Sequence, residues 1–356
     1  MAEDRVNDML IENMNKFMTE RVEEMIAEGK TEEEILEKLD AFDYVGVFKE
    51  MYDVMASKTT DTLENSMYER VLEQRAITAE FMAHNEQIWG KGFVASEAMH
   101  IIAVECAAIL GKYLSECEPE KTKDFVYRYT ALREIHGRSC QQFLEIVYLM
   151  KAGFADGAFA RWRSMYELSV VALFIKEHEE CVAEAYCAAS NSTDTWHNWA
   201  KAAPCVQTKQ YQNPKRNVTF GDIQKECSFP SDTWKAQYNL ANNVVHASPQ
   251  GTFGRLSNYR PTGVTPVGHG DYGILSAAEN SAISLGLVTV LLLTLIPTGD
   301  GIVQANVIQK WVDIVRKHYL DAEQNCFSPN DPPYARRVDG SEIEFASDED
   351  TDDTEE

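Results

Sequence analysis

Residues 154–175 read FADGAFARWRSMYELSVVALFI. Phe154, Ala158, Trp162, Met165, Leu168, Ala172 and Ile175 recur at steps of three and four, and Phe159, Val170 and Phe174 mark a second apolar stripe. That spacing predicts a helix, because side chains three and four apart share a face. A helix apolar on two faces has to be covered on both, which places it in the middle of a bundle. Arg163 and Glu167 interrupt the second stripe and, being four apart, lie one turn from each other. They are expected as a buried pair, because a guanidinium persists inside a fold only beside a carboxylate and further hydrogen-bond partners. Two roles fit such a pair. It can be a fork that binds an anionic or planar ligand while Glu167 holds or activates it, or an ion pair that locks helices in register.

The helical period extends in both directions. Phe125, Tyr129, Leu132, Ile135, Cys140, Phe143, Val147 and Met150 trace a long helix up to Gly153, and Phe93–Leu114 forms a strongly apolar one. Glu177–Ser190 continues helical, and Trp196–Ala203 adds a turn or two. Residues 204–217 read as a loop with the region's one basic cluster, Lys209, Lys215 and Arg216. Thr219 with Asp222 resembles a helix cap, and Ser231 caps a helix whose Trp234, Tyr238, Ala241 and Val245 face the core. That helix stops at His246, since Pro249 cannot continue it. Ser248–Gly273 holds six of the nineteen glycines and three of the eleven prolines, a connection long enough to be functional or mobile. Ala282–Ile296, AISLGLVTVLLLTLI, falls short of the ~20 residues of a membrane span and reads as a buried bundle helix. Val303, Val307, Trp311, Ile314 and His318 give a last amphipathic helix.

Upstream, Met1–Ala27 reads as an amphipathic helix carrying Met9, Met14, Met18 and Met25 on one face, with Gly29 as its stop. Such a face suits a partner helix or its own domain. Thr31 with Glu34 has the form of a capping box. SKTTDT at 57–62 reads as a polar break, and Trp89, Gly90 and Gly92 within 85–93 as a turn. No stretch alternates with period two and no repeat of fixed period is visible. The expectation is an all-α protein, a large irregular helical bundle over 58–325, with an N-terminal helical hairpin at 1–57 and a disordered acidic tail at 326–356.

The net charge of −24 is concentrated at the two ends: residues 339–356 hold ten acids and no base, and residues 1–40 thirteen acids against five bases. The remaining body is only mildly acidic, with no general attraction to phosphate backbones. The tail reads as a solubilising segment or a contact for a basic partner. Eight cysteines without a Cys-x-x-Cys read as reduced thiols of a cytosolic protein, and with an N-terminus opening on acids no secretory signal is expected. Phosphate-loop, dinucleotide, zinc-hydrolase and Gly-x-Ser-x-Gly patterns are missing, so no cofactor and no metal are expected. His178, Cys181, Cys187 and His197 lack the paired short intervals of a zinc site.

His246 is the second candidate after Arg163 and Glu167. It ends its helix where the macrodipole favours a protonated ring, with Asn239 and Asn242 on the same side and Ser248 and Gly251 just beyond. A cap or hinge histidine is the plainer role there. Arg133, His136 and Arg138, in REIHGR, read as a solvated face or as a contribution to the site.

Three segments, ALREIHGRSCQQFLEIVYLMKAGFADGA (131–158), ARWRSMYELSVVALFI (160–175) and YNLANNVVHASPQG (238–251), together resemble a widespread bacterial family known only as domain of unknown function 5677. The resemblance runs over Ala131–Leu256, and Arg-x-x-x-Glu and Val-His-Ala-Ser are its most specific parts. It implies an all-helical fold that brings Arg163, Glu167 and His246 together, and it implies no established activity. Tyr186–Asn191 reads YCAASN, without the histidine expected there.

The resulting expectation is a cytosolic binding or interaction protein. Arg163, Glu167 and His246 would form its polar pocket, with Tyr166, Asn242, Ser248 and His136 as ligand-binding residues. The Ser248–Gly273 connection would gate it. The ligand would be a small anion or RNA, a protein partner would dock through the methionine-bearing helix, and no membrane would be involved. The rival is a metal-independent hydrolase or ribonuclease of a stress or phage-defence system, with His246 as acid or base, Arg163 as anion anchor and Glu167 as orienter.

Overall fold

A computed structural model describes residues 5–207, 216–228, 231–246, 249–257 and 267–327. The fold is all-α, and no strand occurs among the described residues. The chain divides into two compact units, Met1–Ile77 and Thr78–Glu356.

In the first unit, α1 (Arg5–Ala27) ends as its sequence requires. Gly29 takes a left-handed φ of 77°, and Lys30 N–H reaches back to the Met25 carbonyl at 3.1 Å. Of the α1 methionines, Met14 and Met25 are buried and Met18 is half-buried, while Phe17 and Ile26 stay exposed. Thr31 caps α2 (Glu32–Asp40) through a complete capping box. Glu34 N–H donates to Thr31 Oγ1 at 3.4 Å, and Thr31 N–H donates to Glu34 Oε2 at 2.9 Å.

Helix α3 runs unbroken from Tyr44 to Ser115 and corrects two expectations. The polar 57–62 stretch does not end it, because the hydroxyls of Ser57, Thr60 and Thr62 donate to the carbonyls of Asp53, Ala56 and Lys58 at 2.8–2.9 Å. Bonding back one turn lets these residues sit inside a helix. The stretch around Trp89 and Gly92 is helical too. Gly92 marks a close approach: a Cβ there would stand 2.8 Å from the Tyr319 ring.

In the second unit, a short turn α4 (Pro119–Thr122) leads into α5 (Val126–Lys151). The turn after α5 contains Gly153, with φ of 77°, and delivers α6 (Ala155–Glu177), the quoted central helix. Thirteen of its residues are buried, from Ala155 through Ile175, as a mid-bundle helix requires. There follow α7 (Glu180–Ala189), two short 3-10 turns at Asn198–Ala202 and Pro204–Gln207, α8 (Phe220–Glu226), α9 (Asp232–Val245) and α10 (Pro249–Phe253). Helices α11 (Ile274–Leu293) and α12 (Gly299–Cys326) complete the unit. Thr219 and Ser231 cap α8 and α9, and α9 stops with His246 as its C-cap.

Helices α5, α6 and α11 pack mutually; α12 lies on α11, α7 on α5, and α8 and α9 on α6. Trp162 Nε1 donates to Ser284 Oγ at 2.9 Å, joining α6 to α11 through the core. Both α3 and α11 are long and apolar enough to cross a membrane by length and composition. The most apolar window of α11 is 67% buried within the fold, against 39% for α3. The acidic run, Ser248, Lys209, Lys215 and residues 258–266 of the long connection lie outside the described residues.

Candidate functional site

Arg163 and Glu167 pair as their spacing predicts, Nη2 to Oε1 at 3.0 Å, although both side chains remain about one-third exposed. The expectation of full burial is thereby corrected: α9 covers their face only in part. The sequence spacing does not reveal the third member, Tyr238 of α9, whose hydroxyl donates to the same Glu167 oxygen at 2.8 Å. Its ring also lies under the Arg163 guanidinium, 5.7 Å from its carbon. Glu167 is therefore held by two donors. Arg163 Nε is buried without an acceptor among the described residues, and so is Asn242 Oδ1 without a donor.

Tyr166 is fully buried, stacked on Tyr238 at 4.4 Å and set edge-on to Trp234 at 4.7 Å, and Gln224 of α8 donates to its hydroxyl. Burial pushes the Tyr166 phenol up to about 12. Burial, and then the Glu167 carboxylate, does the same to Tyr238. Both phenols are neutral at physiological pH, and that of Tyr238 is the donor to Glu167. His197 lies 6.2 Å from Phe220, which itself packs on Tyr238. Burial lowers the His197 pKa, and the negative Glu167 works against that shift.

His246 sits elsewhere along the same seam. Helix α9 runs back along α6, from Tyr238 beside Tyr166 to Val244, Val245 and His246 at the first turn of α6. There a cleft of about 800 Å³ opens between the start of α6, the end of α9 and the α10 segment. Its lining includes His246 and Arg255 but neither Arg163 nor Glu167. Asp156 and Arg163 are seven residues apart, so the cleft and the ion pair share one face of α6, roughly 10 Å apart along its axis. The single pocket expected from the sequence resolves into two neighbouring places. The backbone carbonyl of Asn242, midway between Tyr238 and His246, accepts the His246 N–H at 3.1 Å.

The cleft is built by Asp156. Its carboxylate accepts from Leu256 N–H at 2.7 Å, Ser257 N–H at 3.4 Å and Ser257 Oγ at 2.6 Å, which fastens the chain after α10 to the start of α6. A second tie joins Gly270 N–H to the Gly153 carbonyl at 2.9 Å, where a Cβ on Gly153 would strike the Phe81 ring. Beside the hydrogen-bonded Asp156 carboxylate, the lining carries the Arg255 side chain and the exposed imidazole of His246. The walls are apolar, with Leu149, Phe154 and Val245 among them. The N-cap Phe154 supplies no side-chain acceptor to the first turn of α6, whose N–H groups face the N-terminal end.

His136 does not belong to either place. It is buried against α11, with Nε2 3.1 Å from Thr289 Oγ1 and Cys140 Sγ at 3.7 Å, and burial lowers its pKa to about 4. Arg133 and Arg138 of the same stretch are exposed. The solvated-face reading holds for the arginines and is corrected for the histidine, which points inward because α5 carries α11 on that side. Among the zinc candidates, His178 contacts Phe174 O at 2.7 Å and Cys205 Sγ at 3.1 Å; no group of metal-ligating residues occurs among the described residues.

No curated protein and no solved structure matches the chain. The family match ends at Cys227, short of the Leu256 boundary expected from the sequence, so Arg163 and Glu167 fall inside it and His246 outside. Over residues 129–227, from the first turn of α5 to the end of α8, the chain resembles the Family of unknown function (DUF5677).

Proposed function

We propose that this chain is a cytosolic binding protein that takes a small anionic molecule in the cleft at the start of α6. The observation that carries the reading is the composition of that cleft. Its volume falls within the roughly 300–1,000 Å³ of small-molecule sites, its walls are apolar, and its basic lining groups are His246 and Arg255. The first turn of α6 adds N–H groups and the positive end of a helix dipole. Arg163, Glu167 and Tyr238, two turns along, hold α9 against α6 and so set the width of the cleft. Eight free thiols suit a reducing compartment.

The test is mass spectrometry of ligands retained by natively purified protein, followed by titration of what is found. An anionic molecule recovered with the wild type and lost with both His246→Ala and Arg255→Ala supports the reading. Retention by both variants sinks it. A metal-independent hydrolase or ribonuclease is the second reading, favoured by one feature: an exposed imidazole, able to carry a proton, shares the cleft with a guanidinium, able to anchor a phosphate. RNA cleavage lost in His246→Ala with the fold intact would establish it, and no cleavage by the wild type would remove it.

A further inference from the structure

Helix α3 exposes a run of large apolar side chains. Met67, Tyr68, Val71 and Leu72 are 58%, 72%, 47% and 43% exposed, and Leu63 and Ile77 flank them with about half their surfaces open. At 3.6 residues per turn the four central side chains cover one side of the helix. Glu64 precedes the patch and Arg75 follows it, both exposed. The eleven-residue separation is just over three full turns, so the two charges lie on the same face as the patch they bracket.

A face with an acid at one end, a base at the other and apolar side chains between is complementary to itself turned end for end. We propose that it seats a second copy of this chain, paired antiparallel through α3. A two-fold axis between positions 69 and 70 sets Glu64 of each chain against Arg75 of the other. The same axis brings Met67 onto Leu72 and Tyr68 onto Val71. This is an isologous contact, the commonest geometry of homo-oligomers. A parallel pairing would instead set Glu64 on Glu64 and Arg75 on Arg75. Segment 44–77 carries six acids and four bases, so its own charge is close to balanced despite the chain's −24, and more distant charges are screened at physiological salt.

Sedimentation of the full-length chain at physiological salt tests this. The wild type is expected to dimerise and Val71→Glu to be monomeric with unchanged helix content. Glu64→Arg and Arg75→Glu should each weaken self-association about tenfold, because each reversal creates two repulsive contacts. The double variant Glu64→Arg/Arg75→Glu should recover most of the loss. A monomeric wild type at high protein concentration would overturn the proposal and assign the face to a different partner. A dimer indifferent to the single reversals, or a double variant no better than either single, would overturn the antiparallel register and with it the proposal.

Discussion

Glu167 accepts from Arg163 one turn away on its own helix and from Tyr238 on α9, at 3.0 and 2.8 Å. Only the first contact follows from spacing along the chain; the second depends on how α9 lands on α6, seventy-one positions later. Tyr238→Phe keeps the ring stacked on Tyr166 and removes one charge-assisted hydrogen bond at a partly exposed site. A loss of about 1 kcal/mol in urea denaturation is expected. Arg163→Ala should cost more, since it also uncovers the Tyr238 ring and leaves Glu167 with one donor fewer. His136 stands four residues from both Leu132 and Cys140 of the α5 apolar stripe, so the helical period turns it inward while Arg133 and Arg138 of the same stretch stay exposed.

At the scale of elements, caps and stops were readable because they are local. Thr31, Thr219 and Ser231 each accept from a backbone N–H three residues on, and Gly29 supplies the left-handed turn after α1. The continuity of α3 was not readable, since hydroxyl and glycine residues have the same composition in a break as in a helix that uses them for packing. Gly92→Ala tests this: its Cβ would meet a Tyr319 ring that is itself fully buried, and a loss of about 1–3 kcal/mol is expected from thermal or urea unfolding. Asn85, also buried, donates to the Met150 and Lys151 carbonyls at 2.9 and 3.0 Å and so closes the end of α5. Asn85→Ala should cost about 2 kcal/mol in the same measurement, because it takes the side-chain donor from two terminal carbonyls, of which Met150's keeps the Gly153 N–H.

For the whole molecule, a buried histidine and a half-buried glutamate give pH dependences of opposite sign. His136 is lowered from 6.5 to about 4 by burial, so the unfolded chain binds the extra proton; the stability it contributes is complete above 6.5 and is lost as pH falls toward 4. Glu323, whose Oε2 is buried without a partner among the described residues, is raised from 4.5 to about 7. Its contribution is complete below 4.5 and is lost as pH rises through 7. The two offset each other between 4.5 and 6.5. Urea denaturation across that interval should show Glu323→Gln losing stability relative to wild type as pH falls and His136→Gln gaining it, each by an amount on the order of 1–3 kcal/mol. Parallel curves for the two variants would refute the assignment. The sequence by itself determined the helical class, the central position of α6 and the pairing of Arg163 with Glu167, because apolar period, caps and one-turn neighbours are all set within a few residues. Only the tertiary structure decided that Tyr238 completes that pair, that His136 meets Thr289 of α11, and that His246 opens onto a separate cleft held by Asp156. Those facts depend on the angle and register at which distant helices meet, which the packing of whole side-chain surfaces settles and no short stretch encodes.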